Sequence, residues 1–410
     1  MTVRIELRRD AGKVDPSRDL WIRRRQVARV LGPPDPTAIA ELVDHRAKVL
    51  GFGLYSPDSG IVLRLLCGGQ QPPPPDWLER GLAAALAGRA ALGLGAETTG
   101  FREVNSEGDG LPGLVVDRFG DWRVVQITTA PIAARRPEIC AWLAEHAPLA
   151  GGQIVVMGEA AAELEGFAPG LEVHARDGTD RGPAQLEWLE HGRPFVAPAP
   201  PAQKTGAYHD QRDNRSRFAA LVAARGAREA PPRVLDLGCH VGGFSIAAAR
   251  RGATVVAVDQ SARALEFAAR NAAANAVSAQ VETVAADMFG DLAAPALAGP
   301  FDAVIFDPPK VARSRRDLGR ALEALTRTLS RLLPRVADDG LVALCSCSHH
   351  LGWDELDRAV LDACGRAVRT AGPGRVVRLD RWGAGPDHPI SPGHREGEYL
   401  RVAVYQRRQT

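Results

Sequence analysis

Aromatic residues are scarce: Phe, Trp and Tyr make up 5% of the 410 residues, so most core volume must come from Ala, Leu and Val. Lysine is rarer still. Of 51 basic residues only Lys13, Lys48, Lys204 and Lys310 are lysines, a bias that genomic composition produces as readily as function. The six cysteines, Cys67, Cys140, Cys239, Cys345, Cys347 and Cys364, match neither a disulfide framework nor a four-ligand zinc site, so no metal is expected. Neither charge sign dominates: 51 basic against 49 acidic residues give a formal +2, which excludes a histone-like polycation but leaves room for locally basic surfaces. No apolar run is long enough to span a bilayer, and the start Met1-Thr-Val-Arg-Ile-Glu-Leu lacks a signal-peptide pattern. A reduced enzyme of the cytoplasm, without a membrane partner, is the simplest expectation. With 45% hydrophobic and 24% charged residues, the chain can form roughly two to three packed domains.

Residues 1–70 read as a small β module. Ile5 and Leu7 alternate with polar neighbours, and Ile61–Leu66 is a second strand candidate. Residues 1–30 hold nine basic against four acidic residues, and the consecutive Arg23, Arg24 and Arg25 read either as phosphate contacts or as a solvated charge run. Pro72–Pro75 marks a linker or domain edge. An Ala/Leu-rich helix is predicted over 76–93. An α/β region follows to about 192, with a hairpin at 114–117 and 123–127, a helix over 132–146 and a strand at 153–157. From about 231 the rhythm becomes strand, glycine turn, helix, strand. Strands are predicted at 233–237, 254–258, 281–285, 302–306 and 341–346, then near 375–380 and 399–405. Helices run from Ser261 to Asn275 and over 317–333 and 353–364. The strands are almost continuously apolar, as in a sheet covered by helices on both faces, so the fold class is a doubly wound α/β domain.

Ligands of such sheets sit beyond the carboxyl ends of the strands. Asp236 closes the first strand, and Gly238, Gly242 and Gly243 follow in a turn that matches neither G-x-G-x-x-G nor a nucleotide-phosphate loop. NAD and ATP are therefore poorly supported, and S-adenosylmethionine fits the paired turns better. Asp259 ends the second strand, where an acceptor can bind ribose hydroxyls. Asp287 follows the third and could approach adenine. Gln260, Met288 and Phe244 complete this candidate cofactor set; Phe244 reads at least as well as core, Asp236 also as a turn anchor and Asp287 as an ordinary loop carboxylate.

Two loops carry the reactive chemistry. Asp307-Pro-Pro-Lys310 follows an apolar strand and can present Asp307 and rigid carbonyls to the exocyclic amine or ring N–H of a planar base. Cys345-Ser-Cys-Ser-His-His350 follows another. Methylating C5 of a pyrimidine needs a nucleophilic thiol to add at C6, and Cys347 is the candidate, with Cys345 strand-facing. His349 or His350 reads equally as proton acceptor, surface residue or ribose contact; two buried apolar thiols are the bland alternative. The connector 203–215 offers Lys204 and Arg212 for anions and Tyr208 for the adenosyl group, while Asp210 and Arg215 could instead lock it by an ion pair. Lys310, Arg313, Arg315 and Arg316 form a basic stretch suited to RNA phosphates. Arg23, Arg24, Arg212, Pro308, Pro309, Lys310 and Arg313 make up the candidate substrate set.

Asn105-Ser-Glu-Gly-Asp-Gly-Leu-Pro-Gly-Leu114, Lys204-Thr-Gly, Asp210-Gln-Arg-Asp-Asn-Arg215, Asp307-Pro-Pro-Lys310 and Ser346-Cys-Ser348 together resemble the bacterial large-subunit ribosomal RNA cytosine-C5 methyltransferase family with an N-terminal PUA domain. The resemblance spans nearly the whole chain. It implies a PUA-like RNA-binding domain over 1–74, a central α/β domain over 75–197 and a class I, Rossmann-like methyltransferase domain over 198–410. It further implies S-adenosylmethionine as cofactor and 23S ribosomal RNA as partner, and leaves a homodimer open. The family nucleophile falls on Cys347, and Asp307 falls in the base-positioning loop. Cofactor contacts fall around Asp236, Gly238, Gly242, Asp259 and Asp287, with the 204–215 connector facing the cofactor. Asp387-His-Pro389 and Tyr399-Leu400 match the family's terminal region, where a structural role is expected. The sequence departs from the family at Asp19–Arg25, at Gly238–Val241, beyond Lys310 and at His209. A guanine-nitrogen methyltransferase working without a covalent cysteine is the competing enzyme reading. A nonenzymatic RNA-binding protein is the third.

Overall fold

The computed structural model describes residues 3–200, 205–225, 230–312, 314–371 and 374–409. The chain divides into two compact units. One comprises Met1–His191, Pro198–Gly206 and Pro386–Gly397, the other Gly192–Ala197, Ala207–Gly385 and Glu398–Thr410. Residues 198–206 and 386–397, expected in the catalytic domain, thus belong with the first unit by their contacts.

The first unit holds two sheets. Strands β1 (Arg4–Leu7), β2 (Trp21–Arg23), β3 (Val27–Leu31), β4 (Ile39–Val43), β5 (Val49–Tyr55) and β6 (Ile61–Gly68) form a six-stranded sheet in the order β2-β6-β5-β4-β1-β3. Alternation puts Ile5, Leu7, Leu42, Leu63 and Leu65 on one buried face. After the proline run, helix α1 (Trp77–Ala90) packs Gly81 so tightly on Leu111 that a Cβ there would lie 2.7 Å from its Cδ2. Strands β7 (Gly100–Asn105), β8 (Leu114–Phe119), β9 (Trp122–Ile127), β10 (Gly152–Met157) and β11 (Gly170–Ala175) follow in the order β11-β10-β9-β8-β7. The helix predicted over 132–146 is two helices, α2 (Ala130–Ala134) and α3 (Arg136–His146). Arg135 has left helical geometry, and Pro137 sits in the first turn of α3, where its missing N–H costs nothing. Helix α4 (Glu159–Glu165) precedes β11, and the short strand β12 (Gln185–Glu190) follows; all of β13 (Arg193–Pro198) but Pro198 belongs to the second unit.

Buried ion pairs tie the first unit together. Arg64 of β6 and Glu165 of α4, 101 residues apart, pair at 2.7 Å, and Glu165 also accepts from Ser56 and Ser59. Arg102 grips Asp117 with two hydrogen bonds of 2.9 Å, and Thr205 donates to the same carboxylate. The Asn105–Leu114 motif receives the Pro386–Gly397 segment: Asn105 donates to the Pro389 carbonyl, and Arg89, paired with Asp109, donates to the Asp387 carbonyl. The structural role expected for Asp387–Pro389 has this physical content.

The second unit is the doubly wound sheet. Helix α5 (Arg212–Ala223) precedes β14 (Arg233–Leu237), α6 (Gly243–Ala249), β15 (Thr254–Asp259), α7 (Ala262–Ala274), β16 (Val281–Ala285), β17 (Phe301–Phe306), α8 (Leu318–Leu332), β18 (Val336–Ser346), α9 (Trp353–Ala371), β19 (Gly374–Trp382) and β20 (Arg401–Gln409). The order is β16-β15-β14-β17-β18-β20-β19, with β20 antiparallel to both neighbours and the other four pairings parallel. The connector enters α5 at Arg212. Ser261 caps α7 by accepting from the Ala264 N–H. Helix α8 buries Ala321, Leu325, Leu329 and Leu332, an apolar stripe of helical period, in the core of this unit.

Candidate active site

Strand order reverses direction between β14 and β17, and the crevice beyond that point is where a doubly wound sheet binds ligands. The register aligns Leu237 with Phe306 and Phe306 with Leu344, so Gly238 and Asp307, just past their strands, lie level with Cys345 near the end of β18. Gly238 has φ +94°, and a Cβ there would overlap the Asp307 carbonyl oxygen and lie 2.9 Å from Met288 Cε. Only glycine permits this approach. The Asp307 N–H donates to the Leu237 carbonyl at 3.0 Å, fixing the start of the Pro308-Pro309 turn; Pro308 is buried, while Pro309 and Lys310 are exposed.

The glycine turn is held from both sides. Asp236 is fully buried; its Oδ2 accepts from the Ser245 N–H at 3.0 Å and hydroxyl at 2.6 Å. Its Oδ1 is buried without a hydrogen-bond partner among the described residues. Burial, partly offset by the Ser245 bonds, pushes this carboxyl up to about 6. Asp259 accepts from the His240 N–H at 3.0 Å and the Ser261 N–H at 2.9 Å, tying the first turn to the second. Arg215 lies against Gly243, where a Cβ would come within 2.6 Å of its Cδ, and donates to the Tyr208 carbonyl. Phe244 is buried edge-to-face on Phe218 of α5. Asp287 is exposed and accepts from the Phe289 N–H, and Gln260 is exposed.

Cys345 is fully buried in β18, and burial lifts its thiol well above the usual range. Cys347, two residues on, is half-buried. The serines on either side fix its loop: Ser348 donates its hydroxyl to the Ala312 carbonyl at 2.6 Å and its N–H to Ser346 Oγ at 3.2 Å. Rings of His349 and His350 stand 3.7 Å apart just beyond. Tyr208 gathers the site. Burial first, then the nearby charges of Asp307, Cys347, Asp210 and Asp259, raise its phenol far above the ordinary tyrosine range, so it stays an O–H donor. Gln211 donates to Asp307 at 3.4 Å, and Asp210 accepts from the Tyr399 hydroxyl at 2.6 Å.

The fold thus brings Asp236, Gly238, Gly242, Asp259, Met288, Asp307, Tyr208 and Cys347 to one edge of one sheet. It does not bring Arg212 to a substrate: this side chain is fully buried and paired with Asp213 at 3.0 Å, because α5 turns it inward. Arg23 pairs with Glu396 at 3.3 Å, and Arg24 donates to the carbonyls of Pro57 and Ser59. Lys204 and Arg313 lie outside the described residues. Gln211, Ser346 and Ser348 emerge as positioning groups that sequence reasoning missed; for the two serines the S-C-S spacing was the available signal. Among the described residues no group of His, Cys, Asp and Glu could hold a metal ion, and no helix is long and apolar enough to cross a membrane.

Asp236, Asp259 and Asp307 stand at adjacent strand ends, and the buried Oδ1 of Asp236 is unmet among the described residues; this acidic set fits the sulfonium and ammonium charges of S-adenosylmethionine. Residues 234–332 match the family model of a methyltransferase domain, and residues 5–67 that of a PUA-like domain. A Deinococcus radiodurans protein, "Ribosomal RNA large subunit methyltransferase", is 35% identical over 94% of this chain and 93% of its own length. A Shewanella denitrificans protein, "Ribosomal RNA large subunit methyltransferase I", is 30% identical over 98% of this chain and 99% of its own. A Streptococcus mutans structure described as a SAM-dependent methyltransferase superposes with TM-score 0.76 at 18% identity, covering 99% of this chain and 100% of that one. A second structure, described as a methyltransferase complexed with SAH, reaches TM-score 0.79 at 18% identity over the same shares. These last two show a shared fold. The chain is an S-adenosylmethionine-dependent methyltransferase and belongs to the ribosomal RNA large subunit methyltransferase family.

Proposed function

We infer that the protein methylates C5 of a cytosine in large-subunit (23S) ribosomal RNA, with Cys347 as covalent nucleophile and Asp307 as the group that positions the base. The observation that carries this reading is the placement of Asp307 and Cys347 directly after the ends of the neighbouring strands β17 and β18, with the half-buried Tyr208 close to both charges. Asp236, Gly238, Gly242 and Asp259, with Tyr208 and Met288, hold the cofactor, and the exposed Asp287 and Gln260 border it. Lys310 lies on the exposed side of the proline turn, where a phosphate can meet it. The target base must leave its stack to reach this crevice. The setting is the cytoplasm, where ribosomal RNA is processed.

C5 of cytosine is too weak a nucleophile to act unassisted. Asp307 accepts a hydrogen bond from the exocyclic amine and holds C6 toward Cys347. The Cys347 thiolate adds at C6, and the electron pair of the C5–C6 double bond passes to C5. The cofactor, when bound, supplies an electrophilic methyl group. With the methyl group on C5, the C5 proton passes to solvent, the C5–C6 double bond re-forms and the C6–S bond breaks, which releases the Cys347 thiolate and restores the aromatic ring. The half-buried, neutral Tyr208 keeps an O–H donor near Asp307 and Cys347 throughout.

Replacing Cys347 by Ala should lower 5-methylcytosine formation by on the order of 10⁴-fold or more, while S-adenosylmethionine affinity stays within about twofold. Mass-spectrometric modification mapping of large-subunit RNA from cells carrying either form checks this. A normal 5-methylcytosine level in the variant removes the covalent role, and a methylguanosine missing from cells without the protein selects guanine-nitrogen transfer.

A further inference from the structure

The first unit contains a cleft of about 560 Å³ between α3 and strands β10 and β11 that the methyl-transfer reading does not use. Its size suits a small ligand. Pro137, Ala141, Ala144, Pro148 and Leu149 give it an apolar wall. Arg136, Arg176 and His174 line it beside a single carboxylate, Glu172, so its lining carries more guanidinium than carboxylate charge. Glu172 holds Arg136 at 3.0 Å and lies 3.5 Å from His174. Arg123, deeper in, is neutralised by the buried Glu103, and the exposed Arg176 has no ion-pair partner among the described residues. At the floor the buried Gln153 amide donates to the Cys140 carbonyl at 2.9 Å, while its Oε1 has no hydrogen-bond partner among the described residues.

We propose that this cleft binds a nucleoside phosphate. Arg176 and Arg136 take the phosphate in the forked geometry that guanidinium groups offer to oxyanions, and the base lies flat along the Pro and Ala wall. The Gln153 amide at the floor provides an acceptor for an exocyclic amine of the base, which would satisfy a buried oxygen otherwise left unmet. The same chemistry fits a nucleotide of the RNA substrate and a free mononucleotide. The RNA source rests on the large-subunit RNA reading of the active site; the free nucleotide does not.

The test uses the full chain as wild type, Arg176→Glu and Ala144→Trp; both positions are exposed, and unchanged thermal midpoints verify folding. Equilibrium dialysis against CMP, AMP and GMP is combined with methyl-transfer kinetics on a large-subunit RNA fragment. Either variant should weaken mononucleotide binding, raise KM for RNA, or do both, by at least about tenfold, with S-adenosylmethionine affinity unchanged. A raised KM assigns the site to an RNA nucleotide, whereas lost mononucleotide binding at unchanged KM assigns it to a free one. Wild-type binding and KM preserved in both variants, or no mononucleotide binding together with unchanged KM, overturns the proposal. Transfer by the wild type to the same fragment reports separately on the active-site reading.

Discussion

The interior of the first unit and the crevice of the second treat carboxylates in opposite ways. In the first, carboxylates meet guanidinium groups: Glu165 with Arg64, Asp109 with Arg89, Asp117 with Arg102 and Glu103 with Arg123. In the second, the crevice carboxylates Asp236 and Asp259 are held by neutral donors, a hydroxyl and backbone N–H groups. A paired buried charge fixes architecture and has little left for a ligand. A carboxylate whose hydrogen bonds come from dipoles rather than from a paired guanidinium keeps more of its field for an incoming cation. That contrast marks the crevice more sharply than its shape does.

Breaking a pair in the first unit should have the largest effect on stability. Glu165→Ala strands the buried Arg64 guanidinium and removes acceptors from Ser56 and Ser59, at a cost of about 3–5 kcal/mol. A denaturant titration reads this as a lowered midpoint; a loss under about 1 kcal/mol would mean that the pair contributes little beyond surface ion pairs.

The smaller effect belongs to Asp236. Its folded pKa of about 6 lies above the unfolded value, so between about pH 4 and pH 6 the folded state keeps a proton that the unfolded chain has lost. Stability therefore falls as pH rises through that window, by about 2–3 kcal/mol at full extent. Asp236→Asn keeps an acceptor for Ser245 and should flatten this slope in denaturant midpoints. In the wild type, ionisation above about pH 6 should also tighten binding of the cationic cofactor a few-fold, an increase that calorimetry should find missing in the variant.

The doubly wound sheet was legible because its strands are apolar throughout and its helices alternate with them. Each boundary carried a local signal, such as Ser261 before α7 or Pro308 after β17. Helix α5 was hidden for a physical reason: its inward face carries Arg212, Asn214 and Arg215, so burial does not follow hydrophobic period. β2 was masked because it is three residues long and runs into Arg23–Arg25, with only Ile22 buried. Likewise, no local pattern discloses that Glu165 answers Arg64, or that Pro386–Gly397 returns to the Asn105 loop, since these contacts span 101 and 284 residues. Within the crevice, the residues that end strands were readable, whereas Gln211 reaches Asp307 only through the fold.

The central claim is that Cys347 attacks C6 of the target cytosine. An RNA fragment carrying 5-fluorocytosine at that position tests it directly, because fluorine cannot leave as a proton does and the adduct cannot resolve. Incubation with S-adenosylmethionine should yield a stable protein–RNA complex, and peptide mass spectrometry should place the cross-link on Cys347. Turnover without a trapped complex, or a cross-link on Cys345, would contradict the account.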